Sequence, residues 1–167
     1  MNKMIVVYYS WSNGNTEKIA KLIQKITASD IVHIETLKPY TGNYKEVVEQ
    51  GKREVESRFK PEIKPLLVDF ENYDVIAIGT PTWWYTMAPA VLSFLNNQNW
   101  YGKIIIPFIT DAGWPGHVID DIKKTCQGAE FAQEMEIRFD SNGGNHMETA
   151  ESKIEEWIMK IKHTFLK

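Results

Sequence analysis

The sequence predicts an α/β protein of three layers, in which a five-stranded parallel sheet of order 2-1-3-4-5 lies between two layers of helices. Three observations carry this. Met4 to Tyr9, Val75 to Ile78 and Ile104 to Ile109 are nearly continuous apolar runs, the pattern of strands buried on both faces under helices. Two further segments alternate polar and apolar residues, as edge strands do. Between the strands run segments of helical periodicity, so strand and helix alternate along the whole chain.

In chain order, the first strand (Met4 to Tyr9) feeds a helix over Asn15 to Thr27, with Ile19, Ala20, Leu22, Ile23 and Ile26 on one face. The second strand, Val32 to Leu37, sets Val32, Ile34 and Thr36 against His33, Glu35 and Leu37. A helix over Tyr44 to Arg58 follows, and Pro39, Pro61 and Pro65 account for the length of that crossover without a second domain. Val75 to Ile78 is the third strand, and Pro89 opens a helix running to Leu95 at the first-turn position proline favours. The fourth strand contains Pro107, which cannot donate to a ladder, so a local irregularity is expected there. Val118 to Cys126 forms a helix, Phe131 to Phe139 the alternating fifth strand, and His146 to Leu166 a last helix with Ile154, Trp157, Ile158 and Ile161 in period. The first, third and fourth strands are the buried ones, as the order 2-1-3-4-5 requires. One domain covering residues 1–167 is expected.

Composition narrows the function classes. With 43% hydrophobic and 25% charged residues the chain is ordinarily globular. The net charge of -3 comes from interleaved acids and bases, so no basic stripe invites nucleic acid. No run reaches the roughly 18 apolar residues of a membrane span and no cleavable leader is visible, which predicts a cytoplasmic protein with no membrane partner. Cys126 is the single cysteine, excluding an intrachain disulfide, and it falls on an apolar helix face as a buried, inert thiol. The histidines lie far apart, so no metal site is expected. Of six tryptophans, Trp83, Trp84 and Trp114 fall in predicted loops, where an indole is costly unless it covers something.

In this topology a ligand binds where the strand order reverses, between the loops after the first and third strands. The first loop, Ser10-Trp11-Ser12-Asn13-Gly14-Asn15-Thr16, offers hydroxyls, amides, a flexible glycine and the free N–H groups of a helix start. It holds no lysine or arginine, which suits a stationary phosphate monoester better than a triphosphate undergoing transfer. The plain alternative is a turn capped by Ser12 or Asn15. The loop after the third strand, Gly79 to Pro89, carries Trp83, Trp84 and Tyr85 beside that phosphate site. They form a platform for a planar ring, where stacking contributes ~1–3 kcal/mol per ring, or else a lid packed on the next helix. Thr110-Asp111-Ala112-Gly113-Trp114 ends the fourth strand with backbone free to approach a ligand edge, or simply makes a turn.

These segments resemble the flavodoxin family. Tyr9 to Thr16 is similar to the flavodoxin phosphate loop, Ser/Thr-x-Thr-Gly-x-Thr, with one residue inserted before the glycine. Tyr73 to Trp84 resembles the third strand and flavin loop of a short flavodoxin-like subgroup, and Pro107 to Thr110 with the glycine-containing loop behind it is similarly placed. The resemblance implies non-covalently bound FMN, with Ser10, Ser12, Asn13, Gly14, Asn15 and Thr16 around the phosphate and Trp11 in the same loop. Pro81, Thr82, Trp83 and Trp84 would line the ribityl chain and ring, with Trp83 stacking and Trp84 turned toward the core. Asp111, Ala112, Gly113 and Trp114 would approach the other side. Two departures stand out: the chain is less acidic than low-potential carriers usually are, and no glycine lies between Thr80 and Ala88 for a peptide flip beside the flavin.

The implied activity is electron transfer through FMN, with no catalytic side chain in the ordinary sense and with redox partner proteins or a small-molecule electron acceptor as partners. A small FMN-dependent NAD(P)H oxidoreductase of quinone-reductase type is the alternative, and the short chain without a lid insertion favours the carrier. The expected state is a monomer or weak dimer. A signalling receiver would need acids where Tyr8, Tyr9 and Thr80 stand. No nucleotide-hydrolase or dinucleotide glycine motif is present. A fold that has lost its flavin and acts as an interaction domain is opposed by the intact hydroxyl-rich loop.

Overall fold

The computed structural model describes residues 1–167. The elements are β1 (Met4–Tyr8), α1 (Asn15–Thr27), β2 (Asp30–His33), α2 (Tyr44–Glu56), β3 (Val75–Trp83), β4 (Thr86–Met87), α3 (Pro89–Asn96), β5 (Ile104–Asp111), α4 (Val118–Thr125), β6 (Glu130–Phe131), β7 (Met135–Arg138) and α5 (Glu151–Phe165). The sheet runs β2-β1-β3-β5-β6, with β7 also beside β5 and the short β4 folded back on β3. All pairs are parallel except β3 with β4. Seven strands therefore fill the five expected positions, because β6 and β7 are two pieces of the expected fifth strand and β4 is a hairpin return.

The strands of the sheet centre are apolar on both sides because both sides are covered. Ile5, Val7 and Tyr9 face one core with Val91, Phe94 and Leu95 of α3 and Val118 and Ile122 of α4. Met4, Val6 and Tyr8 face the other, with Ile19, Ala20 and Ile23 of α1 and Ile154, Trp157, Ile158 and Ile161 of α5. Each fully buried aliphatic side chain stabilises the fold by ~1.5–3 kcal/mol over its exposed state. Cys126 is fully buried, and desolvation pushes its thiol up to about 12, which keeps it protonated and unreactive. No helix is long and apolar enough to cross a membrane.

The irregularity expected at Pro107 falls on the neighbouring strand. Pro107 pairs with Ile78 in an unbroken β3–β5 ladder. On the other side, β5 advances three residues from Ile105 to Phe108 while its partner advances four, from Phe131 to Met135. Lys103, Ile105 and Asp111 turn their carbonyls to β6 and β7, accepting from Glu130, Ala132 and Phe139. Alternation therefore directs the missing donor of Pro107 to the same side. The partner strand bulges there, with Gln133 at φ 51. Its carbonyl accepts instead from Trp157 Nε1–H on α5.

Other boundaries moved for local reasons. The second strand starts and ends earlier than Val32 to Leu37. Beyond Ile34, whose N–H donates to Tyr8 O, the chain leaves β1 and pairs through Thr36 with Ile63. The last helix starts at Glu151 rather than His146, since Phe139 bridges Met147 and closes a glycine-containing loop between them. The helix α2 ends at Glu56, with Arg58 in the left-handed region at φ 54. Trp83 lies on a strand, not in a loop, because β3 continues past Thr80 and turns back on itself.

Candidate functional site: a cleft at the C-terminal edge of the sheet

The strand order reverses between β1 and β3, and a cleft of about 290 Å³ opens at their C-terminal ends. Its base is the start of α1. Gly14 is the N-cap residue at φ 71 and has no side chain with which to cap the helix, so neither Ser12 nor Asn15 plays the capping role the plain reading gave them. Ser12 takes up a left-handed conformation instead, at φ 64. The amides of Asn15 and Thr16 have no intrahelical acceptor, and the positive end of the helix dipole faces the cleft. Thr16 is buried, its hydroxyl sharing a 2.7 Å hydrogen bond with that of Thr110 at the end of β5. That bond fixes the helix start against the sheet.

The side wall is the β3–β4 hairpin. Trp83 pairs with Thr86, which leaves Trp84 and Tyr85 as the two turn residues, at φ 49 and 69. A two-residue hairpin turn with both φ positive is normally made by asparagine and glycine. Each aromatic there is strained by ~1–2 kcal/mol, the kind of cost that persists where the surroundings over-determine a geometry. Three contacts hold the turn. His117 N–H donates to Tyr85 O at 2.8 Å, Trp84 Nε1–H donates to Val48 O on α2 at 2.9 Å, and Gly116 packs so closely that a Cβ would lie 2.2 Å from Tyr85 O.

The two tryptophans take the opposite dispositions to those expected. Trp84 is 40% exposed over α2, whereas Trp83 is the one turned inward. Its ring packs edge-on against Tyr40, Tyr9 and Trp11, with centroids 5.1, 5.9 and 6.1 Å away. Gly51 on α2 makes room for it, since a Cβ there would sit 3.1 Å from the indole. Trp11 stacks on Tyr44 at 5.9 Å, so aromatic surface continues across the cleft mouth.

On the far side, Asp111 is 7% exposed, with one carboxylate oxygen accepting from Gly113 N–H at 2.7 Å and the other buried without a partner. Desolvation, with the charge of Glu136 adding to it, pushes its pKa up to about 6 against the pull of Gly113 and Arg138. Thr82 Oγ1 is likewise buried and unpartnered. Two orphaned polar atoms on the walls of one cleft call for a ligand carrying hydrogen-bonding groups, because leaving such atoms unpaired costs ~1–3 kcal/mol each.

Most of the expected residues meet in this cleft: Trp11, Ser12, Asn13, Asn15, Thr16, Pro81, Thr82, Trp83, Trp84, Asp111 and Ala112 all line it. Ser10 does not, its hydroxyl accepting instead from Glu17 N–H. Gly14 and Gly113 shape the loops from behind, and Trp114 is 62% exposed away from the wall. Sequence reasoning missed the α2 face (Tyr44, Val47, Val48 and Gly51) and the loop with Asp140, Gly143 and Gly144. That loop is tied to the phosphate-type loop by Asn13 donating to Gly143 O and Asn15 donating to Gly144 O at 3.0 Å. The Gly143-Gly144 pair was its one signal. No lysine or arginine lines the cleft, so helix α1 supplies its only positive pole.

An open parallel sheet with a hydroxyl-rich helix start and an aromatic hairpin at its switch point defines the class of flavodoxin-like proteins. The chain belongs to the flavodoxin family, whose model matches residues 3–161. It is 30% identical over 87 residues to the flavodoxin of Haemophilus influenzae, a match spanning 52% of this chain and 36% of that relative's length. Among solved structures it is similar to a flavoprotein of Lactobacillus acidophilus NCFM crystallised in complex with FMN. There the TM-score is 0.73 at 22% identity, over 94% of this chain and 99% of the other. It is also similar to the Fusobacterium nucleatum flavodoxin bound to flavin mononucleotide, with TM-score 0.58 at 16% identity and 99% of both chains covered.

Proposed function

We propose that the cleft holds FMN non-covalently and that the protein transfers electrons through it. The observation that carries this reading is the helix start whose glycine N-cap leaves the Asn15 and Thr16 amides without a partner, set beside walls whose buried polar atoms lack partners. Family membership and FMN-bound structural relatives support it. When bound, FMN supplies one- and two-electron chemistry that the side chains cannot.

The chain's own residues bind, orient and exclude water. Amides of Asn15 and Thr16, with Ser12 and Asn13 nearby, receive the phosphate through neutral donors and the dipole of α1. Thr16 and Thr110 hold that end of the cleft to the sheet. Thr82 and Asp111 offer acceptors to hydroxyl or N–H groups of the ligand, and Trp11, Trp83 and Trp84 screen the ring from water. Asp111 and Asp140 make the rest of the cleft acidic, so an anion is favoured only at the helix end.

The test is the absorbance spectrum of freshly purified protein, followed by anaerobic addition of NADH or NADPH and then dithionite. A yellow protein bleached only by dithionite fits a carrier fed by protein partners. Rapid bleaching by nicotinamide would make it an NAD(P)H oxidoreductase, and a colourless protein without affinity for added FMN would end the reading.

A further inference from the structure

We propose that the loop from Asp140 to His146 is a strap over the phosphate end of the cleft, latched by the side chains of Asn13 and Asn15. The latch gates entry of the cofactor and selects a terminal phosphate monoester over a phosphate that carries a second substituent. The inference rests on the reading of the start of α1 as the phosphate end. It gives Asn13 and Asn15 a positioning role, because their carboxamides are turned to the strap.

The strap stands on a fixed base and is otherwise bonded to itself. At the base, the buried Phe139 bridges Met147. Between them Asp140 N–H donates to His146 O at 2.7 Å, Asn142 N–H to Asp140 Oδ1 at 2.7 Å, and Gly143 N–H to Asp140 O at 3.0 Å. Only two hydrogen bonds join residues 140–146 to the rest of the protein, from Asn13 to Gly143 O and from Asn15 to Gly144 O. Released by those two side chains, the strap can turn on its base without losing another hydrogen bond. Two neutral bonds at a wet cleft mouth favour the closed strap by about tenfold to a hundredfold, so closure is reversible.

Latched, the strap encloses the phosphate end. Asp140, Gly143 and Gly144 line the cleft beside Asn13, Asn15 and Thr16. Gly143 also lies against the first residue of α2, where an added Cβ would be 3.4 Å from Tyr44 Oη, and Tyr44 in turn stacks on Trp11. A second substituent on a phosphate at the α1 start would have to pass this barrier. Charge acts in the same direction. The strap brings the Asp140 carboxylate to that end, its Oδ2 so close to Gly144 that a Cβ there would lie 2.9 Å away. With no lysine or arginine lining the cleft, the second phosphate of a dinucleotide would meet an acid and no cation.

The test compares flavin-free wild type with a double variant, Asn13→Ala and Asn15→Ala, by amide hydrogen exchange and by stopped-flow binding of FMN and of flavin adenine dinucleotide. In the variant, exchange at Asn142 and Gly143 is expected to quicken about tenfold, and FMN association and dissociation should both quicken about tenfold. The wild-type preference for FMN over the dinucleotide should shrink by about tenfold. Loss of a direct phosphate donor would speed dissociation alone, so an unchanged association rate overturns the gate, and an unchanged preference overturns the selection. Asp140→Asn keeps the acceptor for Asn142 N–H and serves as the second variant. It should bind FMN about threefold more tightly at low salt, with riboflavin affinity unchanged. No gain for FMN would remove the strap from the phosphate end. Wild type that binds neither FMN nor riboflavin ends the flavin reading and the strap's role with it, whereas wild type that binds FMN beside variants with unaltered rates ends the strap alone.

Discussion

Replacing Asp111 by asparagine should flatten the pH dependence of stability. In the folded protein the Asp111 carboxyl is raised from 3.8 to about 6, chiefly by desolvation. Between those values the folded state holds a proton that the unfolded state has released, so stability falls as pH rises through the window. Below about pH 4 both states are protonated and the penalty vanishes, while above pH 6 it is fully present. About two pKa units at 1.36 kcal/mol each amount to roughly 3 kcal/mol. Asparagine cannot ionise, yet its Oδ1 can still accept from Gly113 N–H. Urea unfolding of flavin-free wild type and Asp111→Asn, measured at pH 4 and at pH 7.5, reads the effect of Asp111 together with that of its neighbour Glu136, whose charge acts on it, while the more distant carboxylates titrate alike in both proteins. The variant is expected to gain about 2.5 kcal/mol on the wild type between those two pH values, because at pH 4 the unfolded carboxyl is already partly ionised, whatever constant offset the substitution adds. Parallel profiles would refute the buried, destabilised carboxylate.

Three further substitutions probe other parts of the account. Thr16→Val removes a hydroxyl at the phosphate end and should weaken FMN binding by about 1.5–3 kcal/mol, roughly tenfold to a hundredfold in Kd, with riboflavin affinity unchanged. Gly79→Ala places a Cβ 2.2 Å from the buried ring of Phe108. Overpacking of that kind should lower stability by about 1–3 kcal/mol or more, read as a fall in the urea midpoint at constant m. Trp83→Ala empties the position wedged among Tyr9, Trp11, Tyr40 and Gly51, and should cost about 3 kcal/mol in stability.

The sheet order and the place of the cleft were legible because both follow from local signals. Apolar runs mark the strands of the sheet centre, and a ligand crevice at the switch point follows from their order. What could not be read is what depends on pairing across space. The extension of β3 to Trp83 needs a hairpin turn whose two residues are aromatic, contrary to every turn preference, so no sequence signal announces it. Which tryptophan turns inward is decided by Gly51, far away in the chain, and by the bond from Trp84 to Val48 O. Pro107 gave a valid warning, but the direction of its missing donor, and hence which strand bulges, is fixed only by register. The Asp140 to Gly144 loop was hidden because the last helix was extended backward over its neighbours, where polar residues and a glycine pair argued for a turn.

The central claim is that the neutral start of α1 grips a phosphate while the cleft walls take a flat ring. Titrating flavin-free protein with FMN and, in parallel, with riboflavin, and following flavin fluorescence, tests it directly. Saturable one-to-one quenching by FMN, with riboflavin bound about a hundredfold more weakly, is the predicted result. Equal affinity for the two flavins, or no saturable binding of either, would contradict it.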